Sequence, residues 1–163
     1  MSERHRRFSC GRLKDGELPA ARRLIRRVFL RDVAPLLSRK GVATFMAYVR
    51  SGALRERPGT DLFTLVARDA GRILGVIAVR DASHVSLLFV APRARGRGVA
   101  RTLVGKARAF CLRRRPGLSA MTVNASPNAV VAYERMGFER LGRRRTKKGI
   151  RFTPMRFTIR AGR

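Results

Sequence analysis

The stretch LFVAPRARGRGVARTLV, residues 88–104, decides how the chain is organised. Its apolar run stops at Pro92, which has no N–H to give to a sheet ladder. Four arginines and two glycines occupy the nine residues from Arg93 to Arg101, and an aliphatic pattern of helical spacing follows. A strand, a glycine-bearing loop and a helix in that order set unpaired N–H groups at a helix N-terminus, where they can face an anion. Gly96 and Gly98 allow close backbone approach and positive φ. The arginines are expected to add charge-assisted contacts to phosphate oxygens. Taken alone, the stretch also reads as an ordinary strand-to-helix turn with solvated arginines, or as a basic arm for nucleic acid.

Two nucleotide-binding patterns do not fit. A dinucleotide fingerprint needs a third glycine where Arg101 stands, and an acidic residue about twenty positions on. No carboxylate occurs between Asp81 and Glu134. A Walker loop needs Gly-Lys-Ser/Thr, but VGKAR places Ala107 after the lysine. An RNA-binding Arg-Gly segment normally lies in disordered, glycine-rich sequence, whereas this one is wedged between a strand and a helix.

Composition sets the background. The 163 residues suit a single domain, 1–163, and 45% of them are hydrophobic, a globular composition. Lys and Arg number 38 against 10 Asp and Glu, a formal charge of +28. Such a field attracts polyanions and phosphorylated cofactors; an arginine-rich solvated surface explains the total equally well. Cys10 and Cys111 are the only cysteines, too few for a disulfide framework or a metal cluster. MSERHRRFSC has no apolar core of a signal peptide, and no apolar run approaches a membrane span. The expected setting is cytoplasmic.

Periodicity predicts a strand at 8–13, a helix from Leu18 with Pro19 near its start, and a second helix after Ser38. Strands are predicted at 62–68, 72–80 and 83–90, the first two joined by a DAG turn. A helix is expected over 98–113 and a strand over 119–125. Ser126 reads as the N-cap of a further helix, with Pro127 at its first position and Gly137 closing it in the left-handed conformation. A terminal hairpin, 138–146 and 150–159, turns at KKG. This order predicts an α/β fold with a single mixed, partly antiparallel sheet of about seven strands and about four helices.

RARGRG (93–98) fits the Arg/Gln-x-x-Gly-x-Gly/Ala signature of the GNAT superfamily, the acetyl-CoA-dependent N-acetyltransferases. VNASPNAVVAYERMGFE (123–139) resembles that superfamily's second motif. The two segments cover about 50 residues in the right order, and the flanking elements extend the resemblance over nearly the whole chain. It implies splayed central strands with the pantetheine of acetyl-CoA between them, on a backbone edge at Leu88, Phe89 and Val90. It implies a pyrophosphate held by the N–H groups of Arg95, Gly96, Arg97, Gly98, Val99 and Ala100. Asn124 is implied as a pantetheine partner, though it also reads as a turn residue. Asn128 matches a position that often contacts the cofactor.

The resemblance makes Tyr133 the general acid that reprotonates the departing thiolate; the other reading is a half-buried aromatic on an amphipathic helix. The base departs from the pattern. Many relatives carry Glu where Ser86 stands. His84, two residues earlier on the same face, is the substitute, with an ordinary pKa near 6.5. Asp32 and Glu56 are further candidates from the helical cap.

The implied activity is acetyl transfer by direct attack of a primary amine, of a small molecule or a protein. The acceptor itself is not encoded in the motifs, and a +28 field disfavours polycationic amines. The alternative is a basic protein that binds nucleic acid or a ribosome on this scaffold, through RRR (113–115) and RRRTKK (143–148). No metal is expected. Terminal hairpins of this kind often pair with a second copy, which makes a homodimer an expected partner state.

Overall fold

The computed structural model describes residues 8–160; the residues read for a signal peptide lie mostly in the undescribed 1–7. The elements run β1 (Ser9–Arg12), α1 (Leu18–Asp32), α2 (Arg39–Arg50), β2 (Phe63–Asp69), β3 (Arg72–Arg80), β4 (His84–Val90), α3 (Val99–Arg114), β5 (Ala120–Ala125), α4 (Val130–Arg135), β6 (Glu139–Arg140), β7 (Arg145–Lys147) and β8 (Ile150–Thr158). One sheet of eight strands runs β1-β2-β3-β4-β5-β8-β6, with β7 also on β8. Among the described residues only β4 and β5 pair in parallel. The mixed α/β class holds; the extra strand comes from the terminal hairpin, whose first arm breaks into β6 and β7.

β3 explains how the layers stack. Its residues from Ile73 to Val79 are all buried, and only Arg72 and Arg80 at its ends are exposed. A strand buried on successive residues must be covered on both faces. α1 and α3 both pack on β3 and supply those covers. Gly75 lets α3 approach: a Cβ there would lie 2.9 Å from Val99 Cγ1. The core between these layers centres on Phe29, Phe63, Ile25, Ile77, Leu103 and Met121, each under 2% exposed.

The expected turns form. Ala70 and Gly71 take φ of 48° and 75°, the left-handed pair of a two-residue hairpin. Lys148 and Gly149 do the same between β7 and β8, at 51° and 80°. The start of α4 differs from expectation. Ser126 does not cap it; its carbonyl accepts from Ala129 N–H in a turn, and the helix begins at Val130. Pro127 therefore sits in that turn and not in the first helical turn.

α2 is pinned to the β7–β8 turn. Thr44 Oγ1 donates to the Lys148 carbonyl at 3.0 Å. Gly41 faces Gly149 so closely that a Cβ on Gly41 would strike the Gly149 carbonyl. Gly41→Ala is therefore expected to cost about 1–3 kcal/mol in urea unfolding. Gly105→Ala, in mid-helix with open space around its missing Cβ, is expected to stabilise by about 0.5–1 kcal/mol.

Candidate active site

β4 and β5 pair only through His84 with Thr122 and Val85 with Val123. Beyond Val85 the strands part, as the splayed arrangement requires. A bulge lies at the same place: Ala78 pairs with Leu87 and Val79 with Val85, so Ser86 is an extra residue on β4. Its Oγ donates to the Ala78 carbonyl at 3.2 Å, filling the place of a ladder partner.

The bulge sets which backbone groups face the gap. Ala91 N–H donates to the Leu74 carbonyl at 2.7 Å. Alternation along an extended chain then turns the N–H and C=O of Phe89 toward β3, and those of Leu88 and Val90 toward the gap. Leu88 and Val90 thus meet the expectation of an open edge. Phe89 does not; it lines the cleft with its ring, edge-on to Phe45 at 5.8 Å.

The loop after β4 is the candidate anion cradle. Pro92–Ala94 form a 3-10 turn, and the Arg95 N–H is spent on the Pro92 carbonyl at 3.3 Å. Arg95 thus drops out of the expected set of amides. Gly96 and Gly98 take φ of 76° and 77°, with nothing within 4 Å of where a Cβ would sit. Gly98 caps α3 in the left-handed conformation, and the helix's first bond runs from Thr102 N–H to the Gly98 carbonyl. Among the described residues no backbone acceptor takes the N–H groups of Gly96, Arg97, Gly98, Val99 or Ala100.

The arginine side chains of the loop are mostly engaged elsewhere, contrary to the expectation of direct phosphate contacts. Arg95 bonds Asp32, and Arg97 reaches Asp69 at 3.3 Å. Arg101 donates to the Arg135 carbonyl at 3.0 Å. The amides are left as the recognition surface. Arg113 and Arg114 likewise lie over the Phe110 ring, at 5.4 and 4.6 Å from its centroid.

A cavity of about 480 Å³ opens between the parted strands and runs under α1 and α2 to the β7–β8 turn. It gathers Tyr133, His84, Leu88, Phe89, Val90, Arg95, Asn124 and Asn128. The cradle from Gly96 to Ala100 is not part of its lining; those amides stand at the N-terminus of α3, beyond the ends of the strands. Phe29, Phe45, Tyr48 and Phe152 also line it, and Phe29 stacks on Phe45 with centroids 3.8 Å apart. None of these four aromatics is among the site residues expected from the sequence.

Tyr133 is 6% exposed. The close of α4 holds it: Phe138 N–H bonds the Tyr133 carbonyl and Gly137 N–H bonds that of Glu134, both at 3.0 Å, with Gly137 at φ 98°. Phe138 packs edge-on against the phenol ring at 5.2 Å. Its hydroxyl has no hydrogen-bond partner among the described residues. Burial raises the phenol above its ordinary pKa, so it stays protonated throughout the working range.

His84 reaches Thr122 with Nδ1 to Oγ1 at 2.8 Å, across the last paired residues of the sheet junction. Burial and then Arg80 push its imidazole down to about 4, not the ordinary 6.5, although Asp81 pulls the other way. It is neutral at physiological pH and a weak base. Asp32 lies on the cavity wall, tied to Arg95 and 3.6 Å from Arg31. Glu56 is remote from the cavity, paired with Arg12 at 2.5 Å. Ser86 lines it without a carboxylate to offer.

Comparison with known proteins agrees with this geometry. The family described as "Acetyltransferase (GNAT) domain" matches residues 33–159. None of the curated proteins matches the chain. A GCN5-related N-acetyltransferase from Rhodopseudomonas palustris superposes with TM-score 0.73 at 18% identity, covering 93% of this chain and 95% of its own. The PaiA N-acetyltransferase of Thermoplasma acidophilum, solved with coenzyme A, superposes at TM-score 0.71 and 16% identity, covering 98% of this chain and all of its own. Apo YjaB of Escherichia coli gives TM-score 0.69 at 25% identity, covering 92% of this chain and 97% of its own. No described helix is long and apolar enough to cross a membrane. With its parted parallel strands, its amide cradle and a family match spanning most of its length, the chain belongs to the GNAT acetyltransferase family.

Proposed function

We propose that the protein transfers an acetyl group from acetyl-CoA to an amine by direct attack within the cleft between β4 and β5. The carrying observation is one juxtaposition: an unpaired strand edge, a cradle of free amides at the α3 N-terminus, and a buried tyrosine facing the same cavity. The cradle fits a pyrophosphate, because positive φ at Gly96 and Gly98 turns successive N–H groups outward with no side chain in the way. The edge at Leu88 and Val90 fits the amides of a pantetheine arm, and Asn124 and Asn128 line the cavity within reach of the same arm. Acetyl-CoA supplies an activated thioester.

In the reaction the amine nitrogen bonds to the acetyl carbon and the carbon–sulfur bond breaks, leaving an amide and a thiolate. Tyr133 gives its phenolic proton to that sulfur. A raised phenol pKa makes a poor donor to a thiolate in water. In the closed cleft the thiolate is desolvated as well and its own pKa rises with that of the phenol. The amine's proton leaves toward water. His84, with a pKa near 4, accepts it only weakly, and its firmer role is to hold the strand junction through Thr122.

Calorimetry tests the cofactor. Wild type is expected to bind acetyl-CoA, and Gly98→Asp to weaken binding more than tenfold, ~1.4 kcal/mol. Gly98→Ala controls for backbone strain at positive φ. No binding by wild type at millimolar acetyl-CoA ends the enzyme reading. Tyr133→Phe is expected to lower kcat by about 10²- to 10⁴-fold while acetyl-CoA affinity stays near wild type; an unchanged kcat removes Tyr133 as the acid. For pH, kcat/KM is expected to climb as the acceptor amine deprotonates, without an inflection near 6.5. By proton NMR the His84 ring is expected to stay untitrated between about pH 5.5 and 8. An inflection near 6.5 that His84→Gln abolishes would restore His84 as the base.

A further inference from the structure

Among the described residues five cationic side chains line the cavity, Arg80, Arg95, Lys147, Lys148 and Arg151, against one carboxylate, Asp32. Asp32 is already bonded to Arg95, and Arg80 is paired with Asp81 at 2.6 Å. Lys147, Lys148 and Arg151 have no carboxylate within 4.0 Å among the described residues. They stand together at the β7–β8 end of the cavity. His84, Tyr133 and the strand gap form its other part.

This cationic end is built, not frayed. Lys148 holds φ 51°, an uncommon state for a residue with a side chain. The turn is fixed from below by Thr44 on the Lys148 carbonyl and by the backbone contact of Gly149 with Gly41. Rigid backbone therefore brings three exposed cations to the hairpin end of the cavity, Lys147 on the Ile150 face of the ribbon and Arg151 on the Thr146 face, an excess of positive charge that favours an anion there. Phe45, Tyr48 and Phe152 line the same cavity and give it an apolar surface beside these charges.

We propose that the acceptor is an amine that also carries an anionic oxygen group, a carboxylate or a phosphate, held by Lys147, Lys148 and Arg151. This rests on the acetyltransferase reading above. The arrangement also answers the lack of a strong base. Nearby cations disfavour an ammonium and lower its pKa, so the anchored amine enters the strand gap more readily in its neutral, nucleophilic form. The anionic group supplies the attraction that a bare amine would lack in this field.

The test is thiol release by the full chain at saturating acetyl-CoA, with acceptors offered as matched pairs. L-Phenylalanine is set against phenethylamine for the carboxylate, O-phosphoethanolamine against ethanolamine for the phosphate, and spermidine stands for polycations. At least one anionic member is expected to exceed its neutral partner about tenfold in kcat/KM. The combined variant K147Q, K148Q and R151Q is expected to bring that pair near parity, with calorimetric affinity for acetyl-CoA changed less than about threefold. The inference is overturned if neutral amines or spermidine lead, if the preference survives in the variant, or if no anionic amine reacts or binds while acetyl-CoA does. The wild-type comparison stands even if the variant does not fold. Failure of wild type to bind acetyl-CoA overturns the acetyltransferase reading itself, and this inference with it.

Discussion

The site depends on where two parallel strands stop pairing. β4 and β5 share only His84–Thr122 and Val85–Val123, and from Ser86 onward β4 keeps β3 on one side and nothing on the other. Unpaired backbone groups deep in a protein are costly, so they persist only beside water or a ligand. The bulge at Ser86 gives this edge its phase. Without the extra residue, alternation would turn Leu87 and Phe89 toward the gap and move their side chains to the opposite faces. Leu87 would then leave the core, where it is 2% exposed, and the aromatic wall made by Phe89 would be lost. One inserted residue thus fixes both the polar edge and the apolar lining.

Charge has a more specific part than the net +28 suggests. The arginines of the cradle loop bond Asp32, Asp69 and the Arg135 carbonyl, so they brace the loop against α1, the β2–β3 turn and α4. Arg113 and Arg114, in the last turn of α3, lie on Phe110 and Phe63. Polar recognition at the cradle falls to main-chain amides, which no side-chain change removes. Among the cations that line the cavity, those without a carboxylate partner stand at its hairpin end. The absence of a carboxylate at Ser86 and this cationic end are consistent with each other: a site that disfavours ammonium needs less help in removing its proton.

Most of this was legible in the sequence where a local rule decides the structure. Pro92, Gly96 and Gly98 mark the end of β4 and the cradle, and Gly137 marks the close of α4, because each relies on backbone geometry that few residues adopt. The bulge at Ser86 was not legible, since serine carries no bulge signal and the register comes from β3. Neither was the loss of Phe89 from the backbone edge, which follows from that bulge. Ser126–Pro127 looks like a helix start, but the chain spends those residues on a turn closed by Ala129. The break between β6 and β7 also escaped, because a run of arginines has no periodicity. His84 reads as an ordinary histidine until its burial beside Arg80 is known.

Two glycines link the fold to the chemistry. Gly137, at φ 98°, closes α4 and sets the Tyr133 carbonyl in the cap, while Phe157 occupies the space where its Cβ would stand. Gly149, at φ 80°, presents Lys148 beside Lys147, while Gly41 fills the equivalent space. In both places a residue lining the cavity is positioned by a glycine that has no room for a Cβ, against the Phe157 ring in one case and the Gly41 backbone in the other. Tyr133 and the β7–β8 turn are therefore held by close packing that tolerates little change. Residues on the cavity walls, such as Tyr48 and Phe152, have no such constraint. Substitution there can reshape the cavity while Tyr133 and the amides at the α3 N-terminus keep their geometry.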